Sequence, residues 1–124
     1  MNKEFLKIAE EILENIDNYT GRKKEFYVRT GISRAYYGLI WYLRDRLSKQ
    51  GYNFKKKNLH SHIPKVLASM GRFDLIEDFE TLKAQRNDAD YRARNELLWL
   101  TTLDKRALRT YIKEVHLFIS RLGV

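Results

Sequence analysis

Apolar side chains recur along this chain at steps of three and four, the spacing that gathers them on one face of a helix. Phe5, Ile8, Ile12, Ile16 and Tyr19 form the first such stripe. It predicts a helix from about Asn2 to Tyr19, capped by Asn2 and ended by Thr20 and Gly21. The next stripe is longer: Val28, Ile32, Ala35, Tyr36, Leu39, Leu43 and Leu47 predict a helix from about Lys23 to Gln50. Tyr37, Ile40 and Trp41 widen its apolar face beyond what one neighbour covers, so it should be central in a bundle or shared between two subunits. Gly31 and Gly38 lie near one face of it. Each costs about 1 kcal/mol of helix propensity relative to alanine, a loss offset where another helix approaches closely. Gly51 is placed to supply a left-handed C-cap.

A basic loop, Tyr52 to His60, follows and carries Lys55, Lys56 and Lys57. Ser61 is a candidate N-cap for a short third helix that tolerates Pro64 in its first turn and ends at Gly71. Ile76, Phe79, Leu82, Arg86 and Ala89 mark a fourth helix, from about Phe73 to Tyr91. Arg92 to Leu100 is less regular. Thr102 can cap a last helix to Leu122, whose stripe is Leu108, Tyr111, Ile112, Val115, Ile119 and Leu122. No segment alternates with a period of two. The expected fold is therefore all-α, an up-and-down bundle of four main helices plus one short helix, with residues 1–124 as a single domain.

Composition adds limits. The 44% hydrophobic content suits a folded chain despite 32% charge. With no cysteine, disulfides, thiolate metal sites and a thiol nucleophile are excluded, and a reducing compartment is natural. The charged start, Met1 to Phe5, lacks the apolar run of a signal peptide, and no stretch reaches membrane-spanning length. A cytoplasmic protein without a membrane contact is expected. The 24 basic against 16 acidic residues give a net charge of +8, which favours a polyanionic partner such as RNA.

Arg86 is the informative residue for chemistry. It continues the stripe of Phe79 and Leu82, so the helical period turns a guanidinium toward the packed side. A charge there needs partners. Asp90 stands four residues on, within reach on the same face, and Asn87 and Tyr91 flank the pair. One reading is a local ion pair that fixes helix packing. The other is a phosphate site, since the planar five-donor fork of arginine suits phosphate oxygens.

Two runs carry a family resemblance. Ser33-Arg34-Ala35-Tyr36-Tyr37-Gly38, in a long early helix, and Leu82-Lys83-Ala84-Gln85-Arg86-Asn87-Asp88-Ala89-Asp90-Tyr91, in a later one, resemble the two signatures of the HEPN family. The second run is similar to small stand-alone members found beside nucleotidyltransferases. The resemblance spans the second helix to the last. It implies a helical bundle that forms a homodimer, with a function in toxin–antitoxin or phage-defence systems. Many members are metal-independent endoribonucleases whose motif is an arginine, four to six residues, then a histidine. In the dimer two copies of the motif face one cleft. Arg86 matches the arginine, but the histidine position holds Tyr91. A tyrosine, with an ordinary pKa of about 10, is a poor base at neutral pH.

Two functions follow as expectations. In the first, the chain is a ribonuclease in which Arg86 binds phosphate, Asp90 orients it and Tyr91 donates a proton or hydrogen bond. In the second, it is a non-catalytic module that binds nucleotide, RNA or a nucleotidyltransferase-type antitoxin through the same cleft. Asn87, Lys55, Lys56 and Lys57 are the candidate RNA- or nucleotide-binding residues. Arg22, Lys23 and Lys24 could extend that rim, with Tyr27, Tyr52 and Phe54 available for stacking. His60 and His62 could replace the missing base, although a loop histidine is more often solvated. Without a nearby acidic ligand they do not make a metal site. No cofactor is expected. His116, beside the last apolar stripe, should pack.

Overall fold

A computed structural model describes residues 4–52, 59–100 and 102–123. They form five helices: α1 (Glu4–Asn15), α2 (Gly21–Lys49), α3 (Leu59–Ser69), α4 (Phe73–Tyr91) and α5 (Lys105–Leu122). Short 3-10 turns stand at Ile16–Asn18 and Arg94–Glu96. The described residues include no strand, so the chain is an all-α helical bundle. No helix among them is long and apolar enough to cross a membrane.

Helix α2 is the axis of the bundle and packs against each of the other four helices. Its predicted stripe is buried throughout, and Gly31, Gly38, Ile40 and Tyr42 are buried with it. Much of this apolar face is thus used within one chain, by several neighbours at once, whereas Tyr37 is half-buried and Trp41 is 41% exposed. Gly38 explains how α1 comes so near: a Cβ there would stand 3.0 Å from the backbone nitrogen of Leu6. Gly51, with φ of +96°, ends the helix in the left-handed region, and Tyr52 N–H closes back on the Leu47 carbonyl.

Three details differ from the periodic reading. The buried face of α1 is built on Leu6 and Ala9, leading to Ile16, whereas Ile8 is 42% exposed. The face is rotated because the approach at Gly38 brings Leu6 inward. Helix α3 runs from Leu59, which puts Ser61 inside the helix rather than at its cap and Pro64 beyond the first turn. Helix α5 is capped by Asp104, whose carboxylate accepts a hydrogen bond from Ala107 N–H, and Thr102 stands before it. That bond holds the Asp104 carboxyl below its ordinary range.

Helix α4 keeps its expected limits. It buries Leu75, Phe79 and Leu82, then Arg86, Asp88 and Ala89. Its far end is fastened from α2: Arg29 Nη1 donates to the carbonyls of Asp88, Ala89 and Arg92 at 3.2, 2.9 and 2.7 Å. A cation on the last carbonyls of a helix satisfies groups with no partner inside it and complements the negative end of its dipole.

Candidate functional site

Arg86 leaves α4 toward α2, and the residue is only 7% exposed. Its guanidinium carbon lies 4.7 Å from the ring centre of Tyr36 and 5.6 Å from that of Tyr37. Two adjacent tyrosines can both reach it because they stand one step apart on α2, with Tyr36 buried and Tyr37 half-buried. The negative faces of the rings favour a cation there. On the other side, Arg86 Nη1 donates to Asp90 Oδ2 at 3.3 Å. Burial opposes the charge of Arg86. The Asp90 hydrogen bond and the two tyrosines more than offset it, holding the guanidinium above its already high ordinary pKa. Among the described residues the buried Nε–H of Arg86 has no hydrogen-bond partner. A native protein rarely leaves such a donor unpaired.

The site extends to both sides of this centre. Asp90 sits at the exposed end of α4, although its side chain is 20% exposed. Ser33 of α2 donates to the same Oδ2 at 3.4 Å. Beyond Asp90 opens a groove of about 240 Å³ lined by Phe26, Arg29, Thr30, Ser33, Arg34, Ala89 and Asp90. Its rim carries Phe26, 61% exposed, and the exposed Arg34. The groove combines an open aromatic face with guanidinium groups, the chemistry that takes a base and a phosphate.

On the opposite side stands His60. It belongs to α3 and is half-buried, not a solvated loop residue. Its Nδ1 is 2.7 Å from the phenol oxygen of Tyr36, in a hydrogen bond, and its ring is nearly parallel to that of Tyr36. Tyr37 meets the same imidazole edge-on at 6.2 Å. Burial, with Arg86 and Lys83 nearby, pushes His60 below its ordinary pKa, so it is neutral at pH 7. Burial pushes Tyr36 strongly up, against the pull of Arg86, so it stays a phenol.

The expected site residues do not all meet. Arg86 and Asp90 are together. Asn87 is half-buried beside them in sequence. Tyr91 is 75% exposed, and five residues round a helix set it about 140° from Arg86. It stands outside the cluster in a single chain. Lys55, Lys56, Lys57 and Phe54 lie outside the described residues. Lys24 pairs with Asp17 at 3.6 Å, Lys23 lies over Tyr19, and Tyr27 stacks on Tyr19. His116 is exposed rather than packed, and its Nε2 meets Glu10 Oε1 at 2.7 Å. Among the described residues no group of His, Asp and Glu could hold a metal ion.

Sequence reasoning passed over Phe26 and Arg29 as site residues, held Ser33 and Arg34 only as parts of a family signature, and held Tyr36 and Tyr37 as parts of that signature and of the apolar face of the second helix. The spacing of Phe26, Thr30, Ser33 and Arg34 is itself a helical face, and a polar one with a lone phenylalanine. That was the available signal. Comparison of the chain with family models, with curated proteins and with solved structures finds no match.

Proposed function

We propose that this chain is a HEPN-like protein of a toxin–antitoxin or phage-defence system, acting as a metal-independent endoribonuclease. Arg86 holds the scissile phosphate at a cleft shared by two copies of the chain. One observation carries this reading: a guanidinium buried against two tyrosines and tied to Asp90 through Nη1, with no acceptor for its Nε–H among the described residues. A guanidinium short of acceptors suits phosphate oxygens, which its planar fork can bind two at a time. The groove beyond Asp90, with Phe26 and Arg34 at its rim, gives the strand a path. The net charge of +8 favours a polyanion as the ligand.

A second reading has its own support. Tyr91 occupies the family's histidine position yet stands exposed and apart from Arg86, so that position contributes no base within one chain. A non-catalytic module would use the same groove for nucleotide, RNA or a nucleotidyltransferase-type partner.

One experiment separates the two. Purified protein and its Arg86→Ala variant are incubated with RNA in the presence of a chelator. The ribonuclease reading expects cleavage by the wild type and a loss of at least about 100-fold in the variant. Undiminished cleavage by a folded Arg86→Ala protein contradicts it. Binding of RNA or nucleotide that depends on Arg86, without cleavage, supports the module.

A further inference from the structure

The proposed cleavage lacks a base, because Tyr91 stands away from Arg86. The same two tyrosines that seat the guanidinium also seat an imidazole, from a different helix and far away in sequence. We propose that His60 is a catalytic residue of this site, taking the 2′-hydroxyl proton of an RNA strand whose phosphate Arg86 holds. The inference rests on the ribonuclease reading above.

The chemistry requires a proton acceptor beside the phosphate, since the 2′-hydroxyl and the scissile phosphate belong to one nucleotide. Arg86 and His60 stand at the two ends of one aromatic seat. Tyr36 touches both, with the guanidinium over its ring face and Nδ1 of the imidazole at its oxygen. When Nδ1–H donates to that oxygen, Nε2 carries the lone pair and is the basic atom. The proposal requires this tautomer, with the proton on Nδ1, rather than the one in which the Tyr36 hydroxyl donates to Nδ1. Among the described residues, the titratable and charged groups around the ring include Tyr36 and Tyr37 of α2 and Lys83 and Arg86 of α4, with Glu80 and Asp90 beyond. Burial, helped by the two cations, keeps the imidazole neutral at pH 7.

The step balances without a metal or oxidant. As the 2′-oxygen forms its bond to phosphorus, its proton passes to His60 Nε2. The bond from phosphorus to the 5′-oxygen breaks, and that oxygen takes a proton from water. The products are a 2′,3′-cyclic phosphate end and a 5′-hydroxyl end, and the imidazolium returns its proton to the hydroxide so formed.

His60→Asn is the direct test, because asparagine keeps a polar group near the Nδ1 position and removes Nε2. Wild type, His60→Asn and Arg86→Ala are compared on an oligoribonucleotide with chelator present, across pH 4.5 to 8. A 2′-O-methyl copy of the strand, which cannot be cut, reports binding. The expected result is a fall in kcat of at least about 100-fold for His60→Asn, with KM and 2′-O-methyl affinity unchanged. Wild-type activity should rise with pH along an acid limb below 6.5, and the residual activity of the variant should lack that limb. If the variant does not fold, Tyr36→Phe must lower kcat and displace the limb instead. Normal cleavage by His60→Asn with the limb intact, while Arg86→Ala is inactive, overturns the role of His60 and leaves the ribonuclease reading standing. Loss of 2′-O-methyl affinity in His60→Asn assigns the residue to packing and also overturns it. A wild type that never cuts RNA removes both.

Discussion

Arg86 and Asp88 are two residues apart on α4 and both are buried, yet the fold treats them in opposite ways. Asp88 is 2% exposed, and its Oδ2 accepts from the backbone N–H groups of Leu98, Trp99 and Leu100 at 3.0, 2.5 and 3.3 Å. That carboxylate is satisfied from inside the molecule, and it pins the irregular segment that leads toward α5. Arg86 has the tyrosine faces and one long hydrogen bond to Asp90, and among the described residues nothing accepts from its Nε–H. A buried charge with its bonds filled is a structural part. A buried charge with a donor unfilled is costly to keep.

Substitutions can break or sharpen this contrast. The largest effect is expected at Asp88→Ala, which strips the acceptor from three N–H groups at once. It should lower unfolding free energy by about 3 kcal/mol, and amide exchange at Leu98, Trp99 and Leu100 should speed up first. A smaller loss, about 2 kcal/mol in urea unfolding, is expected for Arg29→Ala, because three carbonyls at the end of α4 lose one charged donor. If Arg29→Ala weakens RNA binding as well, the anchored end of α4 also positions the groove. Smaller still is the acid response of His60. Its folded pKa lies below the ordinary 6.5, so the unfolded chain binds its proton first. The stability it confers is full above pH 6.5 and falls as pH drops through the folded pKa. Thermal melts between pH 7 and pH 5 should show that decline in the wild type and a flatter one in His60→Asn.

Much of the fold was legible in the sequence because helices write their period into it. Val28 to Leu47 on α2 and Leu108 to Leu122 on α5 follow the period, and only Phe118 was missed from the buried set of α5. The face of α1 was misread because spacing cannot say which of two apolar stripes a neighbour covers. The approach of Leu6 to Gly38 decides that. For the site, the Arg86–Asp90 pair was legible as an i,i+4 contact on one helix. What was hidden joins distant segments. Arg29 reaches carbonyls some sixty positions on, Asp88 reads backbone N–H groups outside its helix, and His60 finds Tyr36 across two helices. No local pattern encodes such contacts.

The measurement that bears most directly on the central claim is the unfolding free energy of Arg86→Met beside that of the wild type, in urea at pH 7. Methionine fills similar space between the tyrosines and removes the unpaired donor, while Asp90, at the open end of the helix, can turn to water. If Arg86 is kept for an outside phosphate, the variant should be within about 1 kcal/mol of the wild type, or more stable. A loss of about 3 kcal/mol or more, the size expected when a satisfied buried pair is broken, would make Arg86 a packing residue and contradict the account.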